Sequence, residues 1–362
     1  MKLDYNIEET VLTLLDDATP LETVITHAKS LTKQHFSGNN NSCENVMFWR
    51  MRLYAPIYVS SHCVNHCLYC GFRVPRTIDR RHLSVEDVVA ESRYLLERGF
   101  KSQLIVAGES PNVSPAYLAE IMHRLRELQI VPSIEVAPMS VEGYAETIAA
   151  GCHGITLFQE TFDRELYARY HPKGPKSDYE WRVRAIERAA MAGMPRLGYG
   201  VLLGLAEPKQ ELLAMIRHAA AVQMQYPDRI LAFSLPRIHE GPDGFVIPHR
   251  VPDELFFRMY CVLRIVFPEA DLVLSTRETP ELRNRLAASC ITQMSAESST
   301  EPGGYALIQT KSEHVSPTTT NNSAVTDCGT SAPFQGQFLT TDNRSGTEVA
   351  HWLTQNGHQV IW

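Results

Sequence analysis

Hydrophobic residues recur along this chain with two alternating spacings. Short apolar runs rich in β-branched residues are each followed by a stretch whose apolar residues lie three and four positions apart, and this alternation repeats eight times. The predicted strands are 53–60, 103–108, 133–137, 154–158, 197–203, 230–235, 272–275 and 290–294. The predicted helices between them include 85–98, 115–128, 141–149, 179–191, 210–224, 252–266 and 280–286.

Strands that alternate with helices pair in parallel, so the pattern predicts an α/β fold. Eight units favour a closed (β/α)8 barrel of the TIM type over the alternative, an open doubly wound sheet. Barrels of this kind carry functional residues after the C-terminal ends of their strands. Polar residues stand at four such ends: Glu109 after the second strand, Glu160 after the fourth, Arg277 after the seventh and Ser295 at the eighth.

The barrel pattern covers residues 51–310 and has three flanking regions. Residues 1–50 predict an N-terminal helical extension, with helices at 7–15 and 20–34 and a polar loop at 38–42. Residues 311–335 predict a flexible low-complexity insertion, because they are rich in Ser, Thr and Asn and poor in large apolar residues. Residues 336–362 form a short C-terminal tail with a predicted helix that is capped near Ser345 and ends at about Gln355.

Composition narrows the function classes. The chain has 362 residues, 44% of them hydrophobic, and a net charge of −7, so a nucleic-acid partner is not expected. No stretch reaches the roughly 18 apolar residues of a membrane span, so no membrane partner is expected. The N-terminus is acidic and lacks an apolar signal core, which predicts a cytoplasmic protein. Five of the eight cysteines are scattered and read as structural or incidental: Cys43, Cys152, Cys261, Cys290 and Cys328.

The other three cysteines, Cys63, Cys67 and Cys70, lie in one short loop with the spacing C-x3-C-x2-C. Three thiolates that converge from one tight loop can hold a soft metal centre. No fourth cysteine stands at a matching spacing, so this is not a closed four-ligand zinc site. A cubane iron–sulfur cluster on three cysteines leaves one iron open to a substrate. Buried apolar cysteines and a three-cysteine zinc loop are the alternatives.

With Tyr69 just before the last cysteine, the loop resembles the signature of the radical S-adenosyl-L-methionine (radical SAM) enzymes. The resemblance implies one 4Fe-4S cluster on Cys63, Cys67 and Cys70. It also implies that SAM binds the open iron and yields a 5′-deoxyadenosyl radical.

Further segments place the chain in one branch of these enzymes. Residues 158–162, 171–182, 200–205, 274–280, 294–296 and 301–305 resemble the aromatic amino acid lyases, and among them the 2-iminoacetate synthases of thiamine biosynthesis. The similarity covers most of residues 45–310 and resumes from about Gln337.

The resemblance assigns four residues to SAM. Tyr69 is expected beside the adenine, with a plain packing aromatic as the alternative. Glu109 is expected to accept hydrogen bonds from the SAM ammonium, with an exposed loop glutamate as the alternative. Glu160 is expected to contact the ribose hydroxyls or the amino group, and Arg182 the carboxylate. A salt bridge between Glu160 and Arg182 is the alternative for that pair.

Three residues are expected at the substrate. Arg277 is the best candidate to bind the carboxylate of the substrate amino acid, and Ser295 to add a hydrogen bond. Tyr58, five residues before the first cluster cysteine, points to the same barrel mouth by resemblance to the tryptophan lyases. Its alternative is an aromatic residue that fills the barrel interior.

The resemblance implies a radical lyase that cleaves the Cα–Cβ bond of L-tyrosine to 2-iminoacetate (dehydroglycine) and p-cresol, for the thiazole moiety of thiamine. Dehydroglycine hydrolyses easily, so thiazole synthase is an expected partner, together with an electron donor such as flavodoxin or ferredoxin. A tryptophan lyase, another aromatic amino acid lyase, and a non-catalytic partner protein that binds a cluster or SAM are the alternatives.

Two details separate the chain from parts of that branch. The hydrogenase-maturing lyases carry a second cluster on a cysteine-rich extension, whereas only Cys328 follows Cys290 here. The chain therefore lacks the ligands for a second cluster of that type. The family commonly has Gly where this chain has Glu297, and that change is expected near the substrate pocket.

Overall fold

The computed structural model describes residues 5–37, 49–307 and 336–362. Its centre is a ring of eight strands, all paired in parallel and in chain order, in which the last strand returns to the first. The strands are β1 (Arg50–Ser60), β2 (Ser102–Ala107), β3 (Val131–Glu135), β4 (Gly154–Glu160), β5 (Arg196–Val201), β6 (Ile230–Ser234), β7 (Asp271–Leu274) and β8 (Gln293–Ser295). The closed ring confirms the predicted barrel and excludes the open sheet.

The register of the strands sets which side chains share a level of the barrel. Tyr58 on β1 pairs with Val106 on β2, which pairs with Glu135 on β3. Followed once around the barrel, the register returns to β1 at Arg50. That stagger of about eight residues is the shear of a TIM-type barrel.

Helices follow the strands and cover the outside of the ring. They are α3 (Val85–Glu97), α4 (Pro115–Glu127), α5 (Val141–Ala149), α6 (Arg164–Tyr170), α7 (Tyr179–Val183), α8 (Ala185–Met191), α9 (Pro208–Gln225), α10 (Asp253–Val266) and α11 (Pro280–Ala287). Several begin where a side-chain oxygen accepts a backbone hydrogen bond, as Ser84, Ser114 and Thr279 do. The predicted helix 179–191 is two helices, because the backbone of Arg184 (φ −89°, ψ 6°) leaves the helical region.

Two helices precede the barrel: α1 (Tyr5–Leu15) and α2 (Leu21–Phe36). Val11 and Val24 are buried with the barrel's helical layer. The guanidinium of Arg258 on α10 donates to the Leu14 carbonyl at 2.9 Å. The N-terminal helices thus pack onto the barrel as a supporting layer.

After the insertion, the chain forms α12 (Gly346–Gln355) and β9 (Gln359–Ile361). Ser345 caps α12 in a reciprocal capping box with Glu348. The strand β9, which the sequence did not predict, pairs with the first residues of β1 at the end opposite the mouth. The low-complexity insertion predicted at 311–335 lies outside the described residues.

Among the described residues, no helix is both long enough and apolar enough to cross a membrane. Cys152, Cys261 and Cys290 are buried in the protein core, as expected for structural cysteines. Cys43 and Cys328 lie outside the described residues.

Candidate active site

The three-cysteine loop begins directly after β1 and opens onto the barrel mouth. Cys67 is buried, and Cys63 and Cys70 are half-buried. Backbone hydrogen bonds fasten the loop to other segments: Val64 N–H donates to the Glu109 carbonyl at 2.9 Å, and Leu68 N–H donates to the Tyr170 carbonyl at 3.1 Å. The loop is therefore held by the segment after β2 and by the end of α6, as well as by its own turns.

Asn65, inside the loop, is a site residue that the sequence analysis missed. Its side-chain Nδ2 donates to Glu109 Oε2 at 2.7 Å, and its Oδ1 accepts the backbone N–H of Lys176 at 2.9 Å. The Asn65 carbonyl also accepts from Val74 N–H at 2.8 Å. The only signal in the sequence is an amide side chain between Cys63 and Cys67. The role of Asn65 depends on partners far away in the chain.

The donor set fits an iron–sulfur cluster. Burial raises the pKa of Cys67 to about 12, and burial followed by the neighbouring Cys63 raises the pKa of Cys70. Three thiols this close ionise together only when a cation replaces their protons. In the described part of the chain, no three His, Cys, Asp or Glu side chains converge on a single ion. In a cluster each cysteine binds a separate iron, so the thiols need not meet at one point.

A cavity of about 780 Å³ fills the barrel interior beside this loop. That volume lies within the usual range for small-molecule sites. The predicted site residues that line the cavity are Tyr58, Tyr69, Cys70, Glu160, Arg277 and Ser295. The other four are outside its lining: Cys63, Cys67, Glu109 and Arg182. Glu109 and Arg182 are bonded to the protein's own groups.

Tyr69 is oriented by a short hydrogen-bond chain. His171 Nδ1 lies 2.7 Å from the Tyr167 carbonyl, and His171 Nε2 lies 2.7 Å from the Tyr69 hydroxyl. Burial, with the charge of Lys176, lowers the pKa of His171 to about 2, so the ring is neutral. Nδ1 then donates to the carbonyl, and Nε2 accepts from Tyr69. The Tyr69 ring is thereby presented to the cavity next to Cys70.

Glu160, the last residue of β4, forms an ion-paired group with two cations. Its Oε1 accepts from Lys176 Nζ at 2.6 Å and lies 3.5 Å from Arg182 Nη2. Burial and Arg182 disfavour the ammonium of Lys176, but Glu160 and Cys67 outweigh them and raise the Lys176 pKa. Lys176 lies within the predicted motif 171–182, yet it was not singled out from the sequence.

The guanidinium of Arg182 is used inside the protein. Its Nε and Nη2 both donate to the Phe158 carbonyl, at 2.9 and 2.6 Å. The salt bridge with Glu160, given above as the alternative for this pair, is thus present at 3.5 Å. A contact between Arg182 and the SAM carboxylate stays a prediction, and the hydrogen bonds of the side chain within the protein use Nε and Nη2.

Arg277 contrasts with Arg182. Its guanidinium carbon lies 3.4 Å from the centre of the Phe338 ring, and burial lowers its pKa. Among the described residues, no carboxylate lies within ion-pair distance of it, and its side chain makes no hydrogen bond. A cation in this setting is a receptor for a planar anion such as a carboxylate.

A tail strap, residues 336–341, crosses the cavity mouth. Tyr58 donates its hydroxyl to Gln337 Oε1 at 2.8 Å, and Gly71 N–H donates to the Gln337 carbonyl at 3.2 Å. A Cβ at Gly71 would lie 2.5 Å from the Gly336 carbonyl oxygen, so only glycine allows this close approach. Gln337 and Phe338 were not predicted at the site, because they follow a low-complexity stretch far from the barrel motifs.

Glu135 at the end of β3 is a further cavity residue that the sequence analysis missed. Burial raises its pKa to about 7, although the positive charge of Arg277 opposes this shift. A signal was available: β3 alternates, and its polar residues Ser133 and Glu135 both line the cavity. Position in a strand of a barrel, rather than any motif, identifies it.

Ser295 lies at the end of β8 and lines the cavity. Its hydroxyl is buried and makes no hydrogen bond of normal geometry in the described part of the chain, although it interacts with the Tyr54 hydroxyl. Tyr54 on β1 pairs with it in register, and burial raises the pKa of Tyr54 to about 12. A buried hydroxyl without a well-formed hydrogen bond is costly unless a ligand satisfies it.

Glu297, expected near the substrate pocket, lies between the cavity-lining residues Ser295 and Ser298, but its own side chain is not part of the lining. Its backbone has φ +52°, a conformation that favours glycine, and its side chain turns away from the cavity. Oε1 accepts from Arg98 Nε at 2.7 Å, and Oε2 accepts the Gly346 N–H at 3.1 Å, at the start of α12. The glycine that the family commonly has here is explained by the backbone rather than by the pocket.

Two models of known protein families match segments of the chain. The radical SAM superfamily matches residues 57–219, and the Biotin and Thiamin Synthesis associated domain matches residues 234–359. The 2-iminoacetate synthases of Escherichia coli (strain K12) and Salmonella typhimurium are each 33% identical over 345 residues, which is 94% of this chain and 82% of theirs. The FeFe-hydrogenase maturase HydG from Carboxydothermus hydrogenoformans is 29% identical with a TM-score of 0.81, over 97% of this chain and 75% of that one.

Proposed function

The chain belongs to the radical SAM aromatic amino acid lyase family, the family of the 2-iminoacetate synthases, and from that premise we propose that it is a tyrosine lyase. The reaction is cleavage of the Cα–Cβ bond of L-tyrosine to 2-iminoacetate and p-cresol, for the thiazole moiety of thiamine. Enzymes of this superfamily use a 4Fe-4S cluster and SAM, which supply a 5′-deoxyadenosyl radical that removes a hydrogen atom from the substrate.

The observation that carries this proposal is the guanidinium of Arg277, which has no ion-pair partner among the described residues. It is a cation that lines the barrel cavity beside the cysteine loop, stacks on Phe338 and has no carboxylate partner among the described residues. An amino acid brings the carboxylate that this guanidinium lacks. Ser295, whose buried hydroxyl makes no hydrogen bond of normal geometry among the described residues, adds a hydrogen-bond donor for the same group.

The remaining residues divide between cluster and cofactor. Cys63, Cys67 and Cys70 hold the cluster, and Tyr69 and Glu160, which line the cavity near Cys70, are placed to contact the adenine and the ribose or amino group of SAM. Two further contacts belong to the proposal, and both involve side chains that also make hydrogen bonds within the protein. They are Glu109 with the SAM ammonium and Arg182 with the SAM carboxylate.

On the substrate, the protein's contribution is position and exclusion of water. Arg277 and Ser295 fix the carboxylate, and Tyr58, anchored on Gln337, closes the cavity beside them. A substrate held at its carboxylate presents its amino group and Cα–Cβ bond in one orientation. The tail strap covers the mouth and shields reactive fragments from water.

Anaerobic reconstitution tests this function. The protein is loaded with iron and sulfide, reduced with dithionite and given SAM and tyrosine, and 5′-deoxyadenosine and p-cresol are measured together by mass spectrometry. Both products are expected, and neither is expected from Cys67→Ala. 5′-Deoxyadenosine without p-cresol would reject tyrosine, and an indole acid from tryptophan would then establish the tryptophan lyase. Neither product from a protein with a spectroscopically intact cluster would support a non-catalytic role.

Two partners complete the proposal: a reductant such as flavodoxin or ferredoxin, and thiazole synthase. The imine product hydrolyses in water to glyoxylate and ammonia, so direct transfer to the enzyme that uses it protects it. We expect that added thiazole synthase lowers the glyoxylate released per p-cresol formed. An unchanged ratio, with both enzymes active, would argue against direct transfer.

A further inference from the structure

The carboxylates of the cavity differ in what they already bind. Glu160 is paired with Lys176 at 2.6 Å, and Asp243 at the mouth faces Arg76 at 3.4 Å. Glu240 is exposed on the loop after β6. Glu135 lies inside the barrel, and in the described part of the chain no cation reaches ion-pair distance of its carboxylate. Among the described residues, Glu135 is therefore the carboxylate inside the barrel that has no counter-ion.

We propose that Glu135 receives the ammonium group of the substrate amino acid and accepts a proton from it before the hydrogen atom is removed. The inference rests on the proposed function, because it takes the substrate to be an amino acid whose carboxylate binds Arg277. It adds an acid–base residue at the other charged group of the same substrate.

The geometry brings the required groups together. Glu135 and Tyr58 stand at one level of the barrel, linked through Val106 between them. Arg277 acts electrostatically on both of them. In an α-amino acid, the ammonium and carboxylate groups are attached to one carbon, so the residue that binds the first must lie close to the residue that binds the second. Glu135 meets that condition, whereas Glu160 is already occupied by two cations.

The chemistry explains why a base is needed. An ammonium nitrogen has no lone pair, so hydrogen-atom removal from it would leave a radical cation. Proton transfer gives R–NH2 and Glu135–COOH from R–NH3+ and Glu135–COO−. The neutral R–NH2 could then give up one hydrogen atom to the 5′-deoxyadenosyl radical that bound SAM would supply, and the substrate would be left as a neutral aminyl radical.

Glu135 is tuned for this transfer. A general base works best when its pKa lies near the working pH, and burial raises the pKa of Glu135 to about 7. Charged and titratable groups face it from several elements. They are Tyr54 and Tyr58 on β1, Glu160 on β4, Lys176 before α7, Arg182 in α7 and Arg277 after β7.

Binding without turnover tests the inference. The reconstituted enzyme, with its cluster oxidised, SAM present and no reductant, is titrated with three ligands: L-tyrosine, 3-(4-hydroxyphenyl)propionate, which lacks the amino group, and L-phenylalanine, which lacks the phenol hydroxyl. We expect that Glu135→Gln raises the Kd of tyrosine and of phenylalanine about 10- to 100-fold and leaves the deamino ligand within about twofold. Glu146→Gln, at an exposed position on α5 outside the cavity lining, serves as the matched control, with changes under about twofold.

Each other pattern overturns the inference. Equal weakening of tyrosine and the deamino ligand would give Glu135 a structural role only. Weakening of tyrosine with phenylalanine unchanged would place Glu135 at the phenol hydroxyl. Because these titrations need no catalysis, they decide the inference even if the wild-type enzyme forms no p-cresol, an outcome that would reject only the proposed function.

The pH profile supplies a second readout. In the wild-type enzyme, kcat/KM for tyrosine is expected to fall about tenfold per pH unit below about 7, because protonated Glu135 cannot accept a proton. The break near pH 7 should remain in Glu135→Asp and disappear in Glu135→Gln, whose residual rate should keep rising with pH through and above 7 because the solvent must then take the proton. An unchanged break in Glu135→Gln would contradict the role.

Discussion

The barrel mouth has two halves, which differ in whether their charged side chains are paired within the protein. In the cluster-side half, every charged group is bonded to another part of the chain. This half consists of Asn65, Glu109, Glu160, Lys176 and Arg182. In the substrate-side half, Tyr58, Glu135, Arg277 and Ser295, neither the cation nor the carboxylate has an ion-pair partner among the described residues. The first half is organised before any ligand arrives, whereas the second has charges that match an amino acid.

This difference implies that substitutions in the two halves should not change the free energy of unfolding in the same direction. Buried charges that are paired become costly when one partner is removed. A buried charge without a partner costs stability while it stays charged, and a ligand recovers that cost on binding. Substitutions on the cluster-side half should therefore lower stability, whereas substitutions on the substrate-side half should lower function and leave stability unchanged or higher.

The largest expected effect is that of Arg277→Gln on catalysis. Loss of a charged partner for the substrate carboxylate should lower kcat/KM for tyrosine about 100- to 1,000-fold, since such contacts contribute roughly 2 to 5 kcal/mol. Steady-state p-cresol formation measures it, while the cluster spectrum and SAM binding should remain normal.

Arg184→Gln is the matched control for Arg277→Gln. Arg184 is exposed and lies 3.9 Å from Glu180, so its removal should change kcat/KM less than about twofold. Equal loss in both variants, or loss of SAM binding in Arg277→Gln, would contradict the assignment of Arg277 to the substrate-side half.

Lys176→Met tests the cluster-side half. Glu160 would keep only the 3.5 Å contact with Arg182, so the free energy of unfolding should fall by about 2 to 3 kcal/mol. Urea unfolding of the anaerobically purified protein measures the change. Lys173→Met, three residues earlier and exposed, should be nearly neutral. A Lys176→Met variant as stable as wild type would show that the pairing in this half is dispensable.

Glu135→Gln should raise the free energy of unfolding relative to wild type, by an amount that depends on pH. The folded pKa of about 7 is above the ordinary value of a glutamate, so the folded state holds a proton that the unfolded state releases. The wild-type protein therefore loses stability as the pH rises through about 7, and the variant does not. Relative to wild type, the variant should gain on the order of 2 kcal/mol between pH 5 and pH 8.

Urea midpoints at those two pH values decide this prediction, with Glu146→Gln on α5 as an exposed reference. A constant difference between wild type and Glu135→Gln across the range would mean that Glu135 is already balanced by a partner. The contrast between the two halves would then fail.

The same two halves show what sequence can predict. The barrel and the cysteine loop were predicted because their signals are local: the period of apolar residues, and three cysteines within eight positions. Glu160, Arg277 and Ser295 were placed at the mouth because barrels bring strand ends to one rim. The fold and the proposed cluster ligands therefore follow from short-range patterns.

What the sequence did not predict depends on long-range contacts. Asn65 matters through partners after β2 and before α7, and Phe338 reaches Arg277 only because the chain returns after the insertion. Glu135 required knowledge of which strand face points inward. The bonds of Arg182 to Phe158 and of Glu109 to Asn65 show that a residue type at the right strand end does not reveal which atom it already binds.

The smallest expected effect is that of Glu297→Gly, which restores the residue common in the family. At φ +52°, glycine relieves backbone strain of roughly 1 kcal/mol, but the bonds to Arg98 and to the start of α12 are lost, and these are worth about as much. The free energy of unfolding should change by less than about 1 kcal/mol. Because the side chain points away from the cavity, the ratio of tyrosine to tryptophan turnover should stay within about twofold. A larger shift in that ratio would return Glu297 to the substrate pocket and extend the substrate-side half around the whole end of β8.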